Sequence, residues 1–262
     1  MSISFDPRST QFSLNNAHAL AFCSNLAYES EKTIEDKLKQ HGFSTTFIER
    51  RDTQAFIAYN DTAIVLSFRG TTNIQDWMLN SDLLLASVRA GTGKVHSGFL
   101  RALCLVWDDI LQVIADVQNN AQPLWISGHS LGGALATLAA ARFSLELDKP
   151  VRGIYTFGQP RVGDREFARV FNAELKQIFF RIVNNSDIVT RIPTRVPMGY
   201  SHVGSLRFFD SNGTLFDDVS LWQEFLETIK GNLKQQLDLI PSNIENHKME
   251  RYIQNIESQL QG

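Results

Sequence analysis

Pro123-Leu124-Trp125-Ile126-Ser127-Gly128-His129-Ser130-Leu131-Gly132-Gly133 is the stretch on which the fold turns. A short apolar run, Pro123–Ser127, has the length of a buried strand. An Ala-rich run, Leu131–Leu147, follows with the length of a helix. A strand that passes into a helix across a single serine must turn sharply, and the turn forces that serine into a strained backbone conformation. Gly128 and Gly132 remove the side chains that would clash there. Ser130 is then held at the carboxyl end of the sheet, where the free N–H groups of the following helix converge. Gly-x-Ser-x-Gly alone is a weak signal, and a small-residue turn without chemistry is the alternative. The strand before it and the helix after it are the context that gives it meaning.

Outward from this turn, strands and helices alternate. Upstream, residues 63–68 form an apolar strand pattern and Leu100–Val117 an amphipathic helix. Downstream, Val151–Phe157, Ile178–Val183 and Ser205–Phe209 are strand-like, with a helix over Arg165–Lys176. Before all of these come a helix around Phe12–Ala27, a charged helix over Lys32–Gln40 that stops at Gly42, and a hairpin. The hairpin pairs Thr45–Glu49 with Gln54–Tyr59 across Arg51-Asp52. The remainder after Phe209 is helical, with a break at Pro241. The expected fold class is α/β: a mostly parallel central sheet with an antiparallel N-terminal hairpin and helices on both faces. No repeat, low-complexity segment or linker divides the chain, so one domain over 1–262 is expected.

The 262 residues are long enough to bury roughly 73% of the unfolded surface without a disulfide or metal. With 43% hydrophobic and 20% charged residues, the composition excludes a disordered, collagen-like or coiled-coil chain. A net charge of −3 gives no basic excess of the kind that marks nucleic-acid partners. Apolar runs such as Ala134–Ala141 are too short to span a bilayer. The first residues, Met1-Ser2-Ile3-Ser4-Phe5-Asp6-Pro7, lack the basic start and apolar stretch of a secretory signal, and a cytoplasmic location is expected. Cys23 and Cys104 both fall in apolar helical patterns; two buried free thiols are expected, with a single disulfide as the alternative.

A serine nucleophile needs a base, and the base needs an orienting acid. With a nucleophile on this kind of turn the order is Ser, acid, His. Asp187 closes the strand that contains Ile182-Val183, which places it at the carboxyl edge beside Ser130. Asp164 competes for the acid role, but it directly precedes a helix and is better explained as an N-cap. His202 immediately precedes a strand and so belongs at the opposite edge, bonded to backbone. His247 follows the last strand and can return to the carboxyl edge, which makes it the candidate base. His129 points away from the nucleophile by strand alternation and is expected to support. His96 precedes a helix and is expected to bond backbone, while His18 and His41 look exposed or incidental. No His-x-x-x-His pair or cysteine cluster marks a zinc site, and neither metal nor cofactor is expected. For the oxyanion, the backbone N–H of Leu131 is one donor. The turn Arg69-Gly70-Thr71-Thr72 supplies Thr71 as the second.

These blocks together resemble the class 3 lipases, the fungal-type triacylglycerol lipase family of the α/β-hydrolases. The matching residues are 65–72, Val95-His96-Ser97-Gly98-Phe99, Gly128–Gly133, 156–163 and 181–187, and Gly199-Tyr200-Ser201-His202 also fits. The resemblance implies an α/β-hydrolase fold over about residues 12–260. It implies a triad on Ser130, Asp187 and His247, with oxyanion donors on Thr71 and Leu131. It also implies a short lid after the oxyanion residue, within about 73–85. Ile74, Trp77 and Met78 there share one helical face, which either packs inward or covers Ser130 in water. The chain departs from secreted fungal members in showing neither a signal nor a disulfide pattern, and Val219–Ile240 looks longer and more helical.

The activity so implied is hydrolysis of lipid esters through an acyl-enzyme, with a lipid ester as the substrate partner and transient contact with a lipid interface. A feruloyl or short-chain esterase and a phospholipase A1 are alternatives on the same fold. A non-catalytic lipase-like interaction protein is the alternative from a different class. Oligomeric state is left open by the sequence.

Overall fold

The computed structural model describes residues 4–71, 84–87, 91–185, 187–196, 198–217 and 245–261. The first helix, α1 (Leu14–Leu26), begins at Ser13, whose hydroxyl accepts from the Asn16 N–H. It is buried on nearly every face, because it lies between the sheet and the C-terminal helix. Helix α2 (Glu31–Lys39) is capped by Ser30, with Glu31 in its first turn and Lys37 and Lys39 in its last, matching the helix dipole. The hairpin follows as β1 (Ser44–Arg50) and β2 (Thr53–Tyr59), paired with Phe47 opposite Phe56. Arg51 makes the turn at φ 54.

Strands β3 (Ile64–Phe68), β4 (Leu85–Ser87) and β5 (Lys94–His96) lead into α3 (Ser97–Val117). This helix starts earlier than the apolar periodicity implied because the His96 ring caps it: Nδ1 accepts from the N–H groups of Gly98 and Phe99. Strand β6 (Leu124–His129) then runs into α4 (Leu131–Ala141). The helix expected to run to Leu147 changes instead to a π-helical turn over Arg142–Glu146. There Arg142 lies 4.3 Å over the Trp107 ring and pairs with Glu146 at 3.1 Å.

The rest comprises β7 (Gly153–Phe157), β8 (Gly163–Asp164), α5 (Arg165–Leu175), β9 (Phe179–Asn184), β10 (Tyr200–Ser201), β11 (Ser205–Phe209), β12 (Leu215–Phe216) and α6 (Met249–Gln261). Asp164 caps α5 through the Phe167 N–H, as its position before a helix implied. The stretch after Phe209, expected to be helical throughout, first turns over residues 210–214 and returns as β12 against β11; the expected helices and break at Pro241 between there and α6 lie mostly outside the described residues.

The main sheet has the order β1-β2-β3-β6-β7-β9-β11-β12. The pairings from β3 through β11 are parallel, and the hairpin and β12 add antiparallel edges. Strands β3, β6, β7 and β9 are buried along their whole length, as parallel strands covered on both faces must be. One face carries α3, α4 and α5 over Leu66, Ile126 and Ile154; the other carries α1 and α6 over Val65, Trp125 and Tyr155. The strands of five to seven residues left a pattern in the sequence. The small second sheet, β10-β8-β5-β4, did not, because its strands have two or three residues and no readable period.

Two side-chain expectations change here. Cys23 is buried, and burial pushes its thiol up to about 12, but Cys104 is exposed; both are free. The apolar pattern around Cys104 marks α3 as amphipathic without placing Cys104 on its inner face. His18 is neither exposed nor incidental: it is 9% exposed, and its Nε2 lies 3.1 Å from Glu257 of α6. Helix α6 covers it, a contact across more than two hundred residues of sequence.

Candidate active site

Ser130 joins β6 to α4 with φ 57 and ψ −126. For a residue with a Cβ this conformation costs about 1–3 kcal/mol and persists only where the surroundings impose it. Here the backbone imposes it. The Ser130 N–H donates to the Phe157 carbonyl at 2.9 Å, and the Ser130 carbonyl accepts from Gly133 and Ala134. A Cβ on Gly128 would lie 2.3 Å from the Gly132 oxygen, and one on Gly132 would lie 2.3 Å from the Phe68 oxygen. The two glycines thus let the first turn of α4 press against the ends of β6 and β3. Ser130 is fully buried, and its Oγ has no hydrogen-bond partner among the described residues.

Leu131 is the first residue of α4, and Thr71 follows β3 by three residues. Strands β3 and β6 pair in parallel with Phe68 opposite Gly128, so Thr71 and Leu131 come to the same carboxyl edge on either side of the turn.

Asp187 lies just past β9, fully buried. Its Oδ1 accepts from the Val189 N–H at 2.9 Å. Its Oδ2 accepts from His247 Nδ1–H at 2.8 Å and from the Tyr252 hydroxyl at 2.5 Å. A carboxylate only accepts, so the His247 proton sits on Nδ1 and the Nε2 lone pair is left for other work. That Nε2 is buried and unpartnered among the described residues, like the Ser130 hydroxyl. Gly158, at φ 58, connects the two halves. A Cβ there would lie 2.7 Å from Asp187 Oδ2 and 2.8 Å from His247 Nδ1, while the neighbouring Phe157 carbonyl holds the Ser130 N–H. The expected serine, acid and base therefore meet at one edge.

His129 turns away from Ser130, as strand alternation implied. Its Nε2 lies 2.6 Å from the His247 carbonyl, and its ring centroid is 4.4 Å from that of His247. A carbonyl only accepts, so Nε2 carries the proton and Nδ1 accepts from the Tyr28 hydroxyl at 2.7 Å. Burial, then the nearby His247, hold the His129 ring neutral by pushing its pKa well below the usual histidine value. His202 bonds backbone as expected, with Nε2 2.8 Å from the Thr190 carbonyl, but not at the opposite edge: the Thr190 hydroxyl donates to the Asp187 carbonyl, so the segment it serves is the one just past Asp187. Burial and the charges of Arg181 and Arg161 hold it neutral too.

Two histidines kept neutral by the fold have a stability consequence. Both have folded pKa values below the unfolded value of about 6.5, so the native state resists protons that the unfolded chain accepts. Their contribution is complete above about pH 6.5 and is lost as pH falls toward the folded values. Each is expected to give a slope of about 1.4 kcal/mol per pH unit within that window. Urea unfolding between pH 7 and 5 checks this; a free energy that stays level would contradict it.

Tyr252, Gly158 and Tyr28 did not emerge from the sequence reading. Gly158 stood inside a recognised block, yet nothing in the string says which side chains meet it. Tyr252, five residues past His247, carries no local signal. Ile74, Trp77 and Met78, the expected lid face, lie outside the described residues. Among the described residues no group of His, Cys, Asp or Glu is arranged to hold a metal ion, and no helix is long and apolar enough to cross a membrane.

A mostly parallel sheet that changes from strand to helix through a positive-φ serine, with a buried Asp–His pair at the same edge, defines the α/β-hydrolase class. The chain belongs to the class 3 lipase family, whose model matches residues 65–196, half of the chain. It is 31% identical over 250 residues to the triacylglycerol lipase OBL1 of Arabidopsis thaliana, covering 72% of this chain and 48% of that protein. It is 33% identical over 189 residues to the lipase of Rhizomucor miehei, covering 68% and 50%. The Rhizomucor miehei lipase propeptide complex superposes with a TM-score of 0.67 at 26% identity, covering 77% of this chain and 70% of that one. The chain spans about half the length of the curated relatives it matches.

Proposed function

We propose that this chain is a serine carboxylic ester hydrolase acting on lipid esters. The observation that carries the reading is the buried Asp187–His247 pair, brought by Gly158 to the strained turn of Ser130. In this reading His247 Nε2 takes the Ser130 proton as the hydroxyl attacks the ester carbonyl. The Leu131 N–H, with Thr71, stabilises the oxyanion. The tetrahedral intermediate collapses, His247 protonates the leaving alcohol, and water releases the acid from Ser130 by the same steps in reverse. Asp187 holds the imidazole in the tautomer this requires.

The relatives' names support the lipid-ester class: they include triacylglycerol lipases, secreted mono- and diacylglycerol lipases and a phospholipase A(1). The test is labelling with a fluorophosphonate, followed by turnover of tri-, di- and monoacylglycerols, a phospholipid and soluble esters of graded chain length. Label on Ser130 and a preference for acylglycerols support the reading. A chain that is not labelled, or that hydrolyses none of these, refutes it. Contact with a lipid interface through the segment around Ile74, Trp77 and Met78 predicts a steeper rate rise beyond the solubility limit of a partly soluble ester. A Trp77→Ser variant should flatten that rise and keep activity on soluble esters. Smooth saturation in the unchanged protein would remove the lid from the reading.

Tyr252 is assigned a positioning role through Asp187. Tyr252→Phe removes a hydroxyl that donates to a buried carboxylate, a bond of about 1.5–3 kcal/mol. We expect kcat to fall about tenfold with little change in KM. We also expect the acid limb of the pH profile to move upward, because a less satisfied Asp187 holds the imidazolium more strongly. A rate loss without that movement would make Tyr252 structural only.

A further inference from the structure

A second buried polar cluster lies behind the catalytic edge, and the proposed reaction does not use it. Arg181 of β9 stands opposite Thr156 of β7 in the sheet register, so both side chains leave the sheet on the same face. A Cβ on Gly133 would lie 3.2 Å from the Gln159 Cβ and 3.4 Å from the Thr156 Cβ, which places both against the same turn of α4. Arg181 is 4% exposed, and Thr156 and Gln159 are fully buried. Nevertheless Arg181 Nε and Nη1, Thr156 Oγ1 and both amide atoms of Gln159 have no hydrogen-bond partner among the described residues. Each such group costs about 1–3 kcal/mol if left bare, so native proteins satisfy them with water or an ion.

Charge decides between the two. Arg161 acts on Arg181, and Arg191 and Arg195 act on Arg161, with no carboxylate among the groups acting on either. Arg161 spreads its charge over the carbonyls of Arg191 and Pro193. Arg181 Nε and Nη1 have no such outlet among the described residues, and burial and Arg161 pull its pKa down to about 9. Water satisfies N–H groups but leaves an uncompensated buried cation, which costs several kcal/mol. The donors present are Arg181 Nε and Nη1, the Thr156 hydroxyl and Gln159 Nε2, a set suited to an anion, with the accepting Gln159 Oε1 left to water. His202 Nδ1 offers only a lone pair, because Nε2 already donates to Thr190, so it lies outside the coordination. One unbalanced guanidinium calls for one negative charge.

We propose that Arg181, Thr156 and Gln159 form a structural binding site for a small monovalent anion of the size of chloride. The inference is independent of the ester-hydrolase reading, and its test needs no activity. Thermal unfolding is followed in sodium chloride, bromide and gluconate at equal ionic strength, and crystals soaked in bromide are measured for anomalous scattering. Chloride and bromide should raise Tm saturably by about 3–6 °C over gluconate. Bromide should appear in contact with Arg181 Nε and Nη1. Thr156→Val keeps the shape and removes one donor, and should weaken the half-saturating chloride concentration about tenfold. Arg181→Gln should abolish the response. Should that variant fail to fold, the unchanged protein and Thr156→Val decide. Equal unfolding in chloride and gluconate, or a site occupied by water with no bromide peak, overturns the proposal.

Discussion

Ser130→Ala is expected to lower kcat for ester hydrolysis by about 10⁴–10⁶, with the fold intact. The size of the loss follows from the triad acting as a unit: His247 Nε2 has no substitute hydroxyl to deprotonate. Preservation of the fold follows from what Ser130 does in the structure. Its N–H and carbonyl hold the turn, while its hydroxyl has no partner among the described residues, so alanine breaks no hydrogen bond. Stability should therefore change by no more than about 0.5 kcal/mol. Ser130→Gly adds a check on the strain. It should be equally inactive yet gain roughly 0.5–1 kcal/mol, because glycine accepts φ 57 without the Cβ clash. A Ser130→Ala protein that retains a tenth of the original rate would take Ser130 out of the mechanism. One that unfolds would mean the turn depends on the hydroxyl.

The second large effect separates two histidines that the sequence lists side by side as candidates. His247→Ala should match the Ser130→Ala loss, and the double variant should be no worse than either single one, since each removes the same proton transfer. His202→Ala should keep turnover within tenfold and lower Tm instead. Its ring serves the Thr190 carbonyl and is acted on by Arg181 and Arg161, while the Asp187 carboxylate is taken by His247, Tyr252 and the Val189 N–H. Steady-state kinetics and thermal melts of the three variants check this together. Full activity in His247→Ala would overturn the assignment of the base.

The order of elements around the turn was legible because each has its own physical signature. The buried parallel strands are continuous apolar runs, the covering helices are amphipathic or Ala-rich, and Gly128 and Gly132 mark where the backbone must approach itself. The polarity of the sheet then followed from strand–helix alternation. With it came the placing of Asp187 at the carboxyl edge; His202, expected at the opposite edge, is set apart instead by its bond to the Thr190 carbonyl. What stayed illegible was short or distant. The two-residue strands β8 and β10 have no period to detect. Cys104 sits in a helix whose inner face the string does not mark at that position.

The nucleophile turn, the strand polarity and the candidate acid and base are properties of local sequence. They depend on backbone sterics and side-chain periodicity, which act over a few residues. Which groups surround Asp187 was decided by the tertiary structure alone. Tyr252 reaches it across 65 positions, and Tyr28 reaches His129 across 101. His18 finds Glu257 across 239. Helix α6 packs against α1 and the sheet to bury Ala17, Tyr155 and Tyr252 together, and that burial leaves each hydroxyl and ring nitrogen only the partner the packing supplies. Hydrophobic packing is non-directional, so the sequence shows which faces must be buried. The identity of the residue that arrives opposite a given polar atom is set only when whole faces meet.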